Sequence, residues 1–280
     1  MTVSESYAWC ERVARSQAKN FYFSFLLLSK DRRLAMCAVY AFMRYCDDLS
    51  DDEGIADRAA AIARWREDLE AALAGRLSDH PVWPAFAHTV KQFAIPHQYF
   101  FDMIEGVSSD LEPRRVQTFG ELYGYCYHVA SVVGLTIVHI FGFEPGADIP
   151  AALKLAENCG IAFQLTNILR DVKEDQEKNR VYLPREDFER FQVSQETFQP
   201  HIRFAKLLEF EAQRARDYYD ESARLVQYID KSSRASLRAL TGIYSRLLVR
   251  IVASDYDVLS RRIRVPTWEK LWILFRSVIT

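Results

Sequence analysis

Two short runs of the sequence place aspartates on one face of a helix. Asp47 and Asp51 stand four residues apart, with Asp48 at the margin of their stripe, and Asp171 and Asp175 repeat this spacing. At 3.6 residues per turn, such carboxylates project from the same side of the helix and repel one another. A hard divalent cation such as Mg²⁺ offsets that repulsion, because it prefers oxygen ligands and bridges carboxylates to phosphates. The spacing therefore predicts a site for Mg²⁺ and diphosphate.

Other polar side chains share these two faces. Tyr40 and Arg44 precede the first acidic pair, and Gln164 and Asn167 precede the second. Polar side chains on helices built otherwise from apolar residues are costly to bury unless they are satisfied, and a cluster of metal and diphosphate would satisfy them. A single acidic pair would more often be a solvated helix end than a functional site. Two such pairs, each within an apolar helix, favour the functional interpretation.

The elements that must position these side chains are long helices. The 280 residues include only ten Gly and nine Pro, and helix interiors exclude both. Between short Gly- or Pro-containing joints, apolar residues recur every three or four positions, which is typical of helices that bury one face. The pattern predicts helices over residues 34–49, 55–73, 119–141, 151–175, 204–228 and 236–252. No linker-like run divides the chain, so we predict one all-α domain over residues 1–280.

Composition and charge exclude several other classes of protein. The formal net charge of −2 lacks the basic excess of a nucleic-acid-binding protein. The five cysteines are an odd number without a CxxC pair, which favours free thiols over disulfides or zinc. We see neither a secretory signal nor an apolar run of the ~20 residues that span a bilayer. We therefore expect a cytoplasmic enzyme, with peripheral membrane contact left open.

The two acidic runs resemble the aspartate-rich motifs of the squalene/phytoene synthase family, the head-to-head trans-prenyltransferases. The first motif, DxxxD in a YAxxRxxDD context, matches residues 40–51. The second matches NILRDVKED at residues 167–175, followed by RVYLP at residues 180–184. The block YCYHVASVVG at residues 125–134 is similar to a helix that lines the family's reaction cavity. Tyr244 and residues 256–266 also follow the pattern, so the resemblance covers nearly the whole chain.

The resemblance implies a single-domain isoprenoid-synthase helical bundle around a central cavity, with Mg²⁺ as cofactor and prenyl diphosphates as substrates. It implies metal ligands at Asp47, Asp51, Asp171 and Asp175. It implies catalytic roles for Tyr125, Tyr182 and Arg170. It implies substrate-binding roles for Phe21, Phe25, Tyr40, Arg44, Gln164, Asn167, Tyr244 and Arg261. Ordinary core packing is an equal alternative for the two phenylalanines.

The resemblance leaves more than one activity open. We expect two farnesyl diphosphates to be condensed into presqualene diphosphate. The run DDLSDD at residues 47–52 is similar to the corresponding motif of bacterial enzymes that use C15 substrates. The alternative is a phytoene synthase that joins two geranylgeranyl diphosphates. NADPH reduction to squalene stays open, because no GxGxxG follows a predicted strand but this family binds NADPH without one. A non-catalytic scaffold with this fold would typically have lost acidic ligands, and all four are present.

Overall fold

The fold is known from a computed structural model that describes residues 1–18, 21–52 and 54–279, without the side chain of Asp51. These residues form fourteen α-helices and no β-strand. The helices are α1 (Val3–Gln17), α2 (Phe21–Phe25), α3 (Lys30–Asp51), α4 (Arg58–Leu73), α5 (Trp83–Gln92), α6 (Gln98–Ser108), α7 (Phe119–Cys126), α8 (Val132–Phe141), α9 (Ile149–Glu177), α10 (Arg185–Arg190), α11 (Ile202–Ser222), α12 (Leu225–Tyr228), α13 (Arg234–Val252) and α14 (Thr267–Ile279). The predicted all-α bundle is confirmed.

Helix α9 contributes to both hydrophobic cores of the bundle. It begins at a cap in which Asp148 accepts a hydrogen bond from the backbone N–H of Ala151, and Pro150 occupies its first turn, where a missing N–H costs nothing. Along its 29 residues it packs against α8, α11 and α13. Its first half belongs to a core built around Phe42 and Phe86, and its second half to a core built around Phe188. The second acidic face is therefore carried by the element that joins both cores.

The helix predicted over residues 119–141 is not continuous. A π-helical segment, Tyr127–Ser131, separates α7 from α8. At this point the backbone closely approaches α9, because a Cβ on Gly160 would lie 2.5 Å from the Cα of Ser131. The Ser131 hydroxyl also donates a hydrogen bond of 2.9 Å to the carbonyl oxygen of Glu157. Residues 119–141 are long and apolar enough to cross a membrane, but 56% of their most apolar window is buried inside the bundle.

The other predicted helices have somewhat different bounds. The prediction over residues 55–73 began too early, because Asp57 caps α4 by accepting a hydrogen bond from the N–H of Ala60. The prediction over residues 204–228 joined two elements, since α11 ends at Ser222 and α12 follows it as a separate turn. The sequence analysis did not predict α1, α2, α5, α6, α10 or α14.

Candidate functional site

A cavity opens into the bundle. Its volume of about 540 Å³ is typical of a small-molecule site. Helices α2, α3, α8, α9 and α13 all contribute to its wall. Its apolar lining includes Phe25, Val133, Ile137, Leu237 and Leu240. Charged and hydroxyl-bearing side chains from the two acidic faces line the remaining wall. The cavity therefore offers one polar and one apolar environment to the same ligand.

The first acidic face lies on α3. Tyr40, Arg44 and Asp47 line the cavity as predicted. Arg44 forms an ion pair with Asp48, the residue at the margin of the stripe. Burial raises the pKa of Tyr40 to about 12, so this phenol stays protonated near neutral pH and can donate a hydrogen bond. The side chain of Asp51, predicted as a metal ligand, lies outside the described part of the chain.

The second acidic face lies on α9. Every residue predicted there lines the cavity, namely Gln164, Asn167, Arg170, Asp171 and Asp175. Arg170 donates a hydrogen bond of 2.8 Å from its Nε to Asp171 Oδ1. Asn167 donates from its Nδ2 to Gln164 Oε1 at 3.3 Å, while its own Oδ1 is buried without a hydrogen-bond partner. A buried acceptor of this kind is costly unless a ligand satisfies it.

The surroundings of Asp175 disfavour the ionised form of its carboxyl group. Burial raises the pKa of its carboxyl to about 7, and the neighbouring carboxylates of Asp171 and Glu174 add to that effect. The guanidinium of Arg180 opposes it only partly. A group at this position therefore gains by sharing its negative charge with a cation.

Asp110 lines the cavity, and the sequence analysis did not predict it as a site residue. Its Oδ2 accepts a hydrogen bond of 2.9 Å from the hydroxyl of Tyr125, and its Oδ1 accepts one of 2.8 Å from the hydroxyl of Tyr182. The two tyrosine rings stack with their centroids 4.6 Å apart. Arg180 also donates a hydrogen bond to the carbonyl oxygen of Asp110 at 2.6 Å. One carboxylate therefore fixes both tyrosines that were predicted as catalytic residues.

Aromatic side chains form a continuous wall beside the second acidic face. The ring of Tyr244 stacks on that of Phe163, with the ring centroids 4.3 Å apart. The centroids of Tyr244 and Phe21 are 5.4 Å apart, and those of Phe21 and Tyr40 are 6.4 Å apart. Burial raises the pKa of Tyr244 to about 12. Phe21 and Phe25 both line the cavity, although Phe25 also belongs to the core. Faces of such rings stabilise positive charge.

The prediction that Arg261 contacts the substrate is not supported by its position. Its side chain is 65% exposed, forms an ion pair with Asp257 at 3.3 Å, and does not line the cavity. The next residue, Arg262, reaches the acidic face instead, with its Nη2 3.0 Å from Asp171 and its Nη1 2.7 Å from Glu174. The turn that precedes α14 thus directs the second of two adjacent arginines toward α9.

The donor set suits a hard divalent cation that is held together with phosphate oxygens. No three acidic, histidine or cysteine side chains within residues 1–18, 21–52 and 54–279 form a metal cluster by themselves. Asp47, Asp171 and Asp175 do line one cavity, and the unpartnered Oδ1 of Asn167 is a further oxygen donor there. Mg²⁺ usually takes only one or two carboxylates and completes its shell with substrate phosphates and water. The described residues fit that mode.

Comparison with known proteins gives one family. The family model described as "Squalene/phytoene synthase" matches residues 14–269. The 15-cis-phytoene synthase of Synechococcus elongatus is 36% identical over 282 residues, which cover 96% of this chain and 91% of that protein. The chloroplastic phytoene synthase 2 of Solanum lycopersicum is 37% identical over 278 residues, with 97% of this chain and 89% of that protein covered.

Solved structures show the same fold. A dehydrosqualene synthase crystallised with a ligand superposes with a TM-score of 0.90 at 30% identity, with 99% of this chain and 96% of that chain covered. The squalene synthase HpnC from Alicyclobacillus acidocaldarius superposes with a TM-score of 0.83 at 26% identity, with 91% of this chain and 96% of that chain covered. The structural likeness and the sequence likeness therefore point to the same group of enzymes with differently named products.

Proposed function

Because the chain belongs to the squalene/phytoene synthase family and is a head-to-head prenyltransferase, we propose that it joins two molecules of geranylgeranyl diphosphate to form phytoene. The observation that carries this choice of substrate is the 36–37% identity, over nearly the whole chain, to enzymes named phytoene synthases. These relatives favour the C20 substrate over the C15 substrate that the aspartate-rich spelling had favoured.

In this proposal the acidic faces bind the cations, and the basic side chains bind the diphosphate oxygens. We assign Asp47, Asp171 and Asp175 to the binding of divalent cations, with Mg²⁺ as the preferred ion. When bound, such a cation neutralises the charge that develops on the leaving diphosphate. Arg170 donates from its Nε and its Nη2 to Asp171, and we assign its remaining guanidinium N–H groups to phosphate oxygens. It is thus placed to hold the leaving group in position.

Tyr125 and Tyr182 stay neutral in this proposal, and each donates its one O–H to Asp110. Burial raises the pKa of each phenol above its ordinary value, and the Asp110 carboxylate adds to the effect. A phenol with a raised pKa is a poor base near neutral pH. The proton lost from the prenyl cation therefore goes to another acceptor, for which the released diphosphate is the strongest candidate in the cavity.

The apolar wall protects the reactive cation after ionisation. Val133, Ile168, Phe21 and Tyr244 line the cavity beside the acidic faces, and we assign them to the wall that surrounds the allylic carbons. Leu135 and Leu165, on the same helices, are buried in the cores and do not line the cavity. Exclusion of water prevents quenching of the cation, and aromatic faces lower its energy.

A second candidate substrate is farnesyl diphosphate. The observation that favours it is the TM-score of 0.90 to a dehydrosqualene synthase at 30% identity. With this substrate the first product is presqualene diphosphate, and NADPH would be needed only if squalene is the final product.

The test is an assay with Mg²⁺ and each prenyl diphosphate separately, with and without NADPH. We expect phytoene from the C20 substrate. A C30 product alone would establish the second candidate, and the absence of any product would refute both.

Asp171→Asn should abolish turnover, because it removes one cavity carboxylate. Glu177→Gln, at the exposed end of the same helix, is the matched control and should retain activity.

A further inference from the structure

Two buried carboxyl groups converge on one arginine where side chains of α7, α10 and α11 meet. The Nη1 atom of Arg214, on α11, lies 2.9 Å from Oδ2 of Asp187 and 2.8 Å from each carboxyl oxygen of Glu211. Asp187 is 4% exposed and Glu211 is 1% exposed. Neither lines the cavity. Asp187 and Glu211, called the buried acid pair below, therefore lie outside the site already described.

The charges of this cluster balance only if the buried acid pair keeps one proton. Two ionised carboxylates beside one guanidinium would leave a net negative charge in the interior, which is costly. With one proton retained, the neutral carboxyl donates its O–H to the carboxylate. Burial raises the pKa of Glu211, Arg214 lowers it in part, and a hydrogen bond with the Asp187 carboxyl raises it further. The geometry and the charges thus agree on one proton shared by two acids.

Other titratable groups around the buried acid pair come from the same three helices. The thiol of Cys126, on α7, is buried, and this burial raises its pKa, so it stays neutral. Burial also raises the pKa of Tyr218, on α11. Arg190, at the end of α10, lies over the Phe210 ring as Arg214 does, but it is exposed to solvent, so water and salt screen its charge. The compensating charge for the pair is therefore that of Arg214.

Arg214 also ties α7 to this cluster. Its guanidinium carbon lies 4.1 Å from the centroid of the Phe119 ring, in the first turn of α7. The backbone N–H of Phe119 donates a hydrogen bond of 2.7 Å to the carboxylate of Glu186, which directly precedes Asp187 on α10. The beginnings of α7 and α10 are thus held against the same arginine.

These two helix beginnings are next to the tyrosines that meet at Asp110. Tyr125 lies on α7, six residues after Phe119, and Tyr182 lies five residues before Asp187, in the segment that leads into α10. The two rings stack with their centroids 4.6 Å apart, and both hydroxyls donate to Asp110. The geometry of this contact therefore depends on how α7 and α10 are held relative to each other.

We propose that the buried acid pair shares one proton, that this proton holds α7, α10 and α11 together, and that its loss in alkaline solution displaces Tyr125 and Tyr182 from Asp110. The proton leaves to a base in the solvent, and the pair then carries two negative charges beside one guanidinium. The pair is a positioning device, since it acts on the cavity only through the two tyrosines. The shared proton depends on the cluster alone, whereas its effect on turnover rests on the proposed function.

The first measurement is thermal unfolding without substrate from pH 5 to 10, for the wild type, Glu211→Gln and Asp187→Asn. Either amide reproduces the neutral, donating partner of the pair at every pH. The unfolded wild type loses both protons near the ordinary pKa values of about 4, whereas the folded wild type keeps one. The wild-type Tm should therefore fall by several degrees relative to either variant as the pH rises, and the difference should level off once the folded protein has lost the proton as well. Asp175 is common to all three proteins and does not affect the difference.

The second measurement is the pH profile of kcat with Mg²⁺ and geranylgeranyl diphosphate. The wild-type kcat should fall about tenfold per pH unit above the pH at which the proton leaves. Both amide variants should change by about twofold or less over the same range. Glu209→Gln, exposed on α11, is the matched control and should follow the wild type in both measurements.

Parallel Tm profiles for the wild type and the amide variants would overturn the shared proton. A changed profile for Glu211→Gln alone would also overturn it, because Glu211 would then titrate by itself. If one amide variant does not fold, the other still tests the shared proton, since either amide replaces it. The expected Tm profiles with the same alkaline loss of kcat in all proteins would overturn the link to the tyrosines. The absence of product at every pH, with the expected Tm profiles, refutes the proposed function and supports the shared proton.

Discussion

Replacement of Asp175 by asparagine should make the metal-free enzyme more stable above pH 7 while it abolishes turnover. The carboxyl of Asp175 is largely buried beside Asp171 and Glu174, and these surroundings raise its pKa from 3.8 to about 7. Ionised Asp175 is therefore an unfavourable group in the fold unless a cation accompanies it. Asparagine keeps the shape of the side chain but never ionises.

The magnitude follows from the difference in pKa between folded and unfolded chains. Each unit corresponds to about 1.4 kcal/mol, so the ionised carboxyl costs the metal-free fold up to about 4 kcal/mol. Since the folded pKa is raised, the stabilising contribution is fully present below the unfolded value and is lost as the pH rises through about 7. In a chain of this length, 1 kcal/mol shifts the Tm by about 2–4 °C. We expect several degrees between variant and wild type at pH 8.

The assay is thermal unfolding in a chelator across a pH series from 4 to 8, for the wild type, Asp175→Asn and Glu177→Gln. The wild-type Tm should fall relative to that of Asp175→Asn as the pH rises, and added Mg²⁺ should restore it in the wild type only. Glu177→Gln removes a carboxylate from the exposed end of α9 and should follow the wild type. Parallel profiles for the wild type and Asp175→Asn would refute the argument from burial and charge.

Three further substitutions test other parts of the structure. Asp110→Asn keeps the side-chain volume but replaces one of the two oxygens that each accept a hydrogen bond from a tyrosine hydroxyl. The kcat should therefore fall about tenfold or more, while circular dichroism shows that the folded state persists. An unchanged kcat would count against a positioning role for Asp110. Arg262→Gln should raise KM for the diphosphate substrate more than Arg261→Gln does, because only the former contacts Asp171; equal effects in steady-state kinetics would contradict this. Gly160→Ala would place a Cβ 2.5 Å from Ser131 Cα and should cost about 1–3 kcal/mol in denaturant unfolding; wild-type stability would show that the helices can separate there.

The sequence predicted the residues of the two acidic faces because helical spacing alone brings them together. Asn167, Asp171 and Asp175 lie on one face of one helix, so no tertiary information is needed to group them. Asp110 could not be found in this way. It lies in a 3₁₀ turn after α6, and its partners are Tyr125 and Tyr182, 15 and 72 residues away.

The predictions of helix bounds and of side-chain direction were wrong where the backbone departs from regular helical periodicity. Asp255 and Tyr256 have positive φ angles of 51° and 59°, so the turn after α13 has no repeat from which to tell Arg261 from Arg262. The break at Tyr127–Ser131 has the same origin. A π-helical segment shifts the periodicity by one residue without a Gly or Pro to mark it in the sequence.

The position of the acids at the end of α9 has a consequence for how the cofactor and the fold depend on each other. The helix macrodipole is negative at the C-terminus, and Asp171, Glu174 and Asp175 all lie in the last two turns before α9 ends at Glu177. The last turn carries no basic side chain of its own, so the compensating charge comes from Arg170 before it, from Arg180 after the helix and from Arg262, a distant part of the chain. Binding of the proposed cation should therefore be coupled to fraying of this helix end, because the cation would supply positive charge that the folded helix end needs. Amide hydrogen exchange in the last turns of α9 should slow when the cation binds, well before any change reaches the buried middle of the helix.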